Sequence, residues 1–272
     1  MAIKNSGSSL AFSEIEAEFG QNGVRSLGAY RLTQSVGSLS NLPLDSGIPT
    51  SGQIKFSDFY GKKLNVVVDC HSGGREDRKS AKGDKWNNNA VTVIGGFRTK
   101  KEGGSKIIIN VNKKFCSDKS NQINCALKTG SWDSTATVQV DVGSSGEVLG
   151  AGGDGGKGAD GINNNGNAGS PGTSALGIEH NGVTVNIASG GILRCGFGGG
   201  GGGGGNNGGQ AYGGVGGSGG QASGGAGSGQ NRNTSGGSGG ANGAAIRRIS
   251  GYNVTINNNG SITGSTTDTG VT

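Results

Sequence analysis

Proline occurs only three times in this chain of 272 residues, methionine once and tryptophan twice, and aromatic side chains make up 5% of it. The prolines, Pro43, Pro49 and Pro171, are too few for collagen, whose glycine must also recur strictly at every third position alongside abundant proline. No run of about 18 consecutive apolar residues exists, so no helix of the sequence is long and apolar enough to span a membrane. The opening MAIKNSGSSLAFSEIEAEFG reaches acid at Glu14 without an apolar stretch, and no signal peptide is expected. Nor do the four cysteines, Cys70, Cys116, Cys125 and Cys195, show a CxxC spacing. They read as reduced thiols of a protein made in a cytoplasm, a Cys116–Cys125 hairpin bridge being the alternative. Cys70-His71 and the distant His180 could form a thiol nucleophile or zinc site, but two histidines among scattered cysteines read better as packing and surface residues.

What the chain has instead is glycine. It carries 62, of which 16 lie in residues 1–142 and 46 in residues 143–272. The stretch Gly196–Gly240 holds 25 in 45 positions. Glycine costs about 1 kcal/mol per helix position, so a long helical protein is excluded. Charge is uneven too. Residues 1–60 carry four basic and five acidic side chains, residues 61–130 fifteen and six, and residues 131–272 five and seven. A basic middle between near-neutral flanks predicts three regions: 1–61, 62–142 and 143–272.

In residues 1–61, Leu10-Ala11-Phe12-Ser13-Glu14-Ile15 and Ile54-Lys55-Phe56-Ser57-Asp58-Phe59 are variants of one pattern. Ser13 with Glu16 predicts a capping box and a helix from Glu14 that Gly20 ends. Ser57 and Asp58 predict a second short turn. Sixty residues so poor in apolar side chains bury little surface by themselves. The module is therefore expected to dock onto something larger, through Phe12, Ile15, Phe19, Phe56, Phe59 and Tyr60. The alternative is a capping subdomain resting on residues 62–142.

Residues 62–142 show strand signals at Leu64–Val68, Ala90–Ile94, Lys106–Val111 and Thr135–Val142, separated by glycine pairs. Short strands without helical periodicity predict a β-sandwich-like domain. The charged stretch Arg75–Trp86 could bind phosphate or stack on a base. Its mixed charges favour a solvated loop, and nucleic acid is not expected as a partner. The excess of positive charge suits acidic partners instead.

Residues 143–272 would be a flexible tail if composition were the whole story. A repeat argues otherwise. Val140-Asp141-Val142 with Gly146 and Val148, Val185-Asn186-Ile187 with Gly191 and Leu193, and Val254-Thr255-Ile256 with Gly260 and Ile262 are three copies of strand, turn and strand. Two copies lead into glycine runs. Extended threefold glycine helices packed side by side explain that arrangement, with amides bonding to neighbouring segments because such helices have no internal hydrogen bonds. Polar insertions between the runs then fall at the lattice ends. Tyr212, Arg232, Asn231 and Asn206 are the candidate receptor contacts, with Asn163-Asn164-Asn165 behind them. GxGxxG matches open no apolar helix, Gly156-Lys157 lacks the Ser/Thr of a phosphate loop, and the stretch Gly155–Ile162, which fits one calcium-binding nonapeptide, has no stacked copies. No cofactor, no metal and no catalytic set is expected.

Phe12-Ser13-Glu14-Ile15 through Gly20, and Ile48-Pro49-Thr50-Ser51-Gly52-Gln53-Ile54 through Gly61, resemble an N-terminal module of tailed-phage virion proteins. The glycine-rich half is similar to the distal tail-fibre adhesins of T-even-like phages. That resemblance implies packed polyglycine helices whose connecting loops contact a host surface receptor. The expectation is a mostly β, non-enzymatic virion protein of the phage tail, a tail-fibre or baseplate-associated adhesin assembled in the host cytoplasm. Its partners would be other virion proteins and a host cell-surface receptor or glycan, with self-association left open. The rival is a purely structural component, a baseplate plug or capsid decoration.

Overall fold

The computed structural model describes residues 3–19, 26–30, 34–36, 39–42, 48–49, 51–62, 65–70, 79–80, 91–94, 104–117, 123–158, 165–202 and 236–271. Helix α1 spans Phe12–Phe19, and single 3-10 turns lie at Leu27–Tyr30 and Phe56–Phe59. Strands β1 (Gln34–Val36) and β2 (Leu39–Leu42) pair antiparallel. The rest is a stack of coils. Strands β3 (Asn65–Cys70) and β4 (Lys79–Ser80) begin it, and β5 (Val91–Ile94) returns antiparallel along β3. Three-strand coils follow: β6 (Lys106–Val111), β7 (Lys114–Cys116) and β8 (Cys125–Lys128), then β9 (Thr137–Val142), β10 (Glu147–Leu149) and β11 (Ser174–Ile178). After them come β12 (Val183–Ile187), β13 (Ile192–Arg194) and β14 (Ala244–Arg248), and last β15 (Val254–Asn258), β16 (Ser261–Thr263) and β17 (Ser265–Thr267).

Each coil adds one strand to each of three sheets, and within the sheets every pairing is parallel except that of β5. The register stacks like on like. Ile107, Val138 and Val183 form one row, Ile109, Val140 and Val185 the next, and Val111, Val142 and Ile187 a third. All nine are buried, as alternation along a strand requires of its inward face. Phe115, Val148 and Leu193 line the second sheet, and Leu127, Leu176 and Ile246 the third. Burying each such side chain stabilises by roughly 1.5–3 kcal/mol. On the outward face of the first sheet, Asn257 Nδ2 donates to Asn186 Oδ1 at 2.8 Å and Asn186 Nδ2 to Asp141 Oδ1 at 2.7 Å.

The mostly β expectation is met, with differences in layout. The strands of residues 62–142 do not close on one another as two facing layers. They share all three sheets with residues 143–272, and β6, β9, β12 and β15 pair across residue 142 without a break. Composition changes at that point because glycine enters at the coil corners, while the strands on either side continue the same stack.

The three-copy repeat is present, but each pair of strands turns a corner between two sheets and is not a hairpin. The third copy is also out of step. Val183 pairs with Val254 and Val185 with Ile256, whereas Leu193 pairs with Ile262. The last corner is thus two residues shorter, and Asn258 takes the place that Ile187 holds one coil earlier.

In the N-terminal module the reciprocal cap uses a different acid from the expected one. Glu14, not Glu16, accepts from the Ala11 N–H at 2.7 Å, while the Glu14 N–H donates to the Ala11 carbonyl. Lys4 Nζ, 2.8 Å from Glu14, holds the carboxylate there. The Ala11 hydrogen bond and then Lys4 keep its pKa below the ordinary glutamate value. Asp58 repeats the arrangement on Lys55, accepting from its N–H at 2.7 Å. The twin motifs are twins in structure as well. Gly20 lies outside the described residues.

Candidate functional site: a glycine lattice on one corner of the coil

The connections β10–β11 and β13–β14 leave the same corner of successive coils, and each carries glycine segments outward and back. Residues 150–157 and 196–202 run out; residues 166–173 and 236–243 return. Gly150, Gly153 and Gly156 donate to the carbonyls of Arg194, Phe197 and Gly200 at 2.7, 2.8 and 2.7 Å. The amides of Gly196, Gly199 and Gly202 donate to Thr173, Ser170 and Asn167, each at 2.8 Å. Thr173, Ser170 and Asn167 in turn donate to Ala151, Asp154 and Lys157 at 2.9, 2.8 and 2.9 Å. Gly237, Gly240 and Gly243 donate to Gly202, Gly199 and Gly196 at 2.6, 2.7 and 2.9 Å. The bonding residue recurs every third position, the period of a threefold extended helix, and the bonds join different segments.

Glycine is required there by proximity. A Cβ on Gly153 would lie 1.9 Å from the Ser170 carbonyl oxygen, and one on Gly199 1.9 Å from that of Asp154. Side chains appear on the outer segments where they point away from the neighbouring backbones, and Asp154, Lys157, Ser170 and Ser238 are exposed. The segment 196–202 is packed against all three others and carries a single side chain, that of Phe197, which is half-buried.

The base of the lattice is fastened to the coil by hydroxyl groups that sequence reasoning did not single out. Ser117 Oγ and Thr173 Oγ1, both buried, are hydrogen-bonded to each other, and both accept from the Ala151 N–H, at 2.9 and 2.7 Å. Ser117 and Thr173 are 56 residues apart, and nothing local in the sequence marks either as a partner.

At the far end, the amide of Asn167 reaches Lys157, that of Gly202 reaches Asn167 and that of Gly237 reaches Gly202. The segment ends at Lys157 and Gly202 and the segment starts at Asn167 and Gly237 therefore meet at one end, and the connections 158–166 and 203–236 join them in sequence. The candidate contacts Tyr212, Arg232, Asn231 and Asn206 belong to the second of these connections and lie outside the described residues. So do Asn163 and Asn164, whereas Asn165 is exposed beside Gly166. The charged stretch around Trp86 is likewise outside, apart from the backbone of β4.

The six candidate attachment residues divide. Ile15, Phe19 and Phe59 are fully buried, together with Tyr30. Ring centroids are 6.1 Å apart for Phe19–Phe59 and 5.8 Å for Tyr30–Phe59. Tyr30 is a member that the sequence reading missed, and burial and then Glu16 push its hydroxyl pKa up to about 12. Phe12 and Tyr60 are half-buried, and Phe56 is 38% exposed with its ring 5.3 Å from Phe12, edge to face. The outer rim of this cluster, Phe12, Phe56 and Tyr60, is what a partner could touch. The buried residues belong to one continuous core with the coil, so the module also rests on residues 62–142, as the capping alternative required.

All four thiols are free. Burial pushes Cys125 up to about 12, against the opposing pull of Arg247 and Lys128. Burial raises Cys195 as well. His180 is buried with Nε2 3.2 Å from the Ala136 carbonyl.

Residues 83–251 match the family model described as phage tail fibre adhesin Gp38. The crystal structure of the gp37-gp38 adhesin tip complex of the bacteriophage S16 long tail fiber is similar at 18% identity, with 97% of this chain and 99% of that chain covered and a TM-score of 0.47. No curated protein matches the chain.

Proposed function

Since the chain belongs to the phage tail fibre adhesin Gp38 family, whose model covers well over half of it, we propose that it grips a host surface receptor with the two connections at the free end of its glycine lattice. The observation that carries this reading is the meeting of Lys157, Asn167, Gly202 and Gly237 at that end. Both connections start and finish on a rigid platform, which reduces the ordering cost of a binding loop. Tyrosine and arginine dominate binding hot spots, so Tyr212 and Arg232 are the residues proposed to carry affinity, with Asn231 and Asn206 beside them. The role is one of binding in the virion tail, and its host-side ligand is a surface protein or glycan. Replacing Tyr212 and Arg232 by alanine should cut adsorption to host cells at least tenfold while leaving thermal unfolding unchanged. Unchanged adsorption would remove these residues from the receptor site.

The opposite role falls to the N-terminal module. Its exposed rim, Phe12, Phe56 and Tyr60, is proposed to dock into another tail-fibre protein, with Ile15, Phe19 and Phe59 holding the rim in shape from within. Phe56→Ser exposes nothing new and should leave the chain folded but missing from assembled particles. Assembly in the host cytoplasm fits the four free thiols.

A further inference from the structure

Asparagine followed by glycine is the dipeptide most prone to rearrange by itself, because no side chain on the second residue hinders its amide nitrogen from approaching the asparagine carboxamide. Four such pairs lie among the described residues: Asn165-Gly166, Asn181-Gly182, Asn242-Gly243 and Asn259-Gly260. Two more, Asn22-Gly23 and Asn207-Gly208, lie outside them. Reaction requires the glycine amide to give up its proton and turn toward the side-chain carbon, so a hydrogen bond donated by that amide opposes it. In three of the four pairs the bond is present. Gly182 donates to the Asn253 carbonyl at 3.0 Å, Gly243 to that of Gly196 at 2.9 Å, and Gly260 to Asn258 Oδ1 at 3.0 Å. Two of the carboxamides are held as well: Asn181 Oδ1 accepts from the Asn253 N–H at 2.8 Å, and Asn242 Oδ1 from the Gly198 N–H at 3.0 Å.

Asn165-Gly166 differs, and the lattice explains why. In segment 166–173 the amides of Gly169 and Gly172 donate to the carbonyls of Ser238 and Ala241, each at 2.9 Å. Gly166 has the same threefold phase one turn farther out, and among the described residues its amide has no acceptor. Asn165 beside it is exposed. The following residue, Asn167, is pinned twice, its N–H donating to Lys157 and its carbonyl accepting from Gly202. The pair is thus the last unbonded step before the root of the first connection.

We propose that Asn165 is a modification site, at which the chain deamidates itself with water as the only co-reactant. Solvent base takes the Gly166 N–H proton, the amide nitrogen bonds to Asn165 Cγ, and the Cγ–Nδ2 bond breaks. Ammonia departs with the proton returned to it, leaving a cyclic imide. Water then adds to one of the two imide carbonyl carbons and opens its bond to nitrogen. Opening at Cγ leaves aspartate; opening at the former main-chain carbonyl leaves isoaspartate, in which the main chain runs through the side chain.

Either product sets a new carboxylate at the free end of the lattice, where Lys157 is exposed. Isoaspartate also inserts a methylene into the main chain immediately before the pinned Asn167, so the first connection changes shape while the lattice bonds stay. The rearrangement does not depend on what the lattice binds. Its effect on adsorption rests on the receptor reading given above.

The test ages the purified full-length chain at mildly alkaline pH in heavy-oxygen water and follows each asparagine by peptide mass spectrometry, with isoaspartyl methyltransferase to count isoaspartate. Acid should appear at residue 165 on the order of tenfold faster than at residues 181, 242 or 259, where a hydrogen bond must open first. It should appear as both isomers and carry heavy oxygen. Asn165→Gln should keep its amide, since closure then needs a larger ring, and Gly166→Ala should slow the reaction because its methyl group crowds the attacking nitrogen. Equal rates at the four positions overturn the proposal. So does acid at residue 165 without isoaspartate, or a Gly166→Ala chain that reacts as fast as the native one. Adsorption of fresh and aged chains is measured separately. A loss on ageing in the native chain but not in Gly166→Ala supports both the modification and the receptor reading; unchanged adsorption with isoaspartate present supports the modification and removes the first connection from the receptor contact.

Discussion

Gly199 is the most informative place to perturb the lattice. Its amide donates to Ser170 at 2.8 Å and its carbonyl accepts from Gly240 at 2.7 Å, so it joins three segments. Its φ is not positive, and alanine could adopt the backbone without strain. The added Cβ would nevertheless stand 1.9 Å from the Asp154 carbonyl oxygen and 2.4 Å from its carbon. The segments 150–157 and 196–202 must part by more than an ångström to restore a normal contact. That movement breaks the bonds of Gly153 to Phe197 and Gly156 to Gly200, and loosens those to residues 166–173. Two bonds lost at about 1 kcal/mol each, plus about 1–3 kcal/mol for one buried group left without a partner, give a loss of roughly 3–5 kcal/mol. Stiffening of the unfolded chain by alanine returns only about 0.4–1 kcal/mol. The control is Asp154→Ala on an exposed position of the same lattice, expected within about 0.5 kcal/mol of the parent. Amide exchange read by mass spectrometry should show Gly199→Ala losing protection over residues 150–157, 166–173, 196–202 and 236–243, with the coil strands still protected. If Gly199→Ala and Asp154→Ala exchange alike, contact between glycine backbones is not what orders this region.

Other expectations follow from the same structure. Ser117→Ala removes one of two hydroxyls serving the Ala151 N–H and leaves Thr173 with a single partner there, so it should cost about 1–3 kcal/mol. The loss should show as faster exchange at Ala151 and Thr173 before any change at Val140 or Val185; uniform destabilisation would refute a local role. Cys125, raised to about 12 by burial, should react with thiol reagents at pH 8 far more slowly than the unfolded chain. Its linkage sign is negative: the unfolded thiol gives up its proton from about pH 8.5 while the folded one keeps it. This thiol's contribution to stability is therefore complete below that pH and declines as pH rises toward 12. A Cys125→Ser variant with the same alkaline unfolding profile as the parent would contradict this.

How much of this could be read from the residues alone depends on element length. Lys106–Val111 is a six-residue strand, and its bounds were legible because the run Ile107-Ile108-Ile109 is β-branched. Strands of three residues, such as Lys114–Cys116 and Ile192–Arg194, are too short for any period to show. Parallel stacking was not legible either, since alternation along Thr137–Val142 is the same whichever way its neighbours run. Glycine runs beside the strand repeat were the better guide to the lattice, although its three-residue period was not read from them. Gly150, Gly153 and Gly156 recur every third residue because only those positions face a neighbouring backbone. In the N-terminal module the spacing Ser13–Glu16 suggested one cap, but Lys4, ten residues before Glu14 and part of no capping pattern, pairs with Glu14 and favours the cap on Ala11 instead.

The meeting of Lys157 with Asn167 and of Gly202 with Gly237 separates scaffold from cargo. Loop closure grows only slowly with length, about 0.6 kcal/mol for each doubling, once the ends are fixed. The first connection spans nine residues and the second thirty-four, yet each is pinned at its root by the same short amide bonds. On the proposed reading, exchanging residues between those roots alters the receptor contact while the amide bonds at the roots stay as they are, so a change of host range need not be paid for in fold stability.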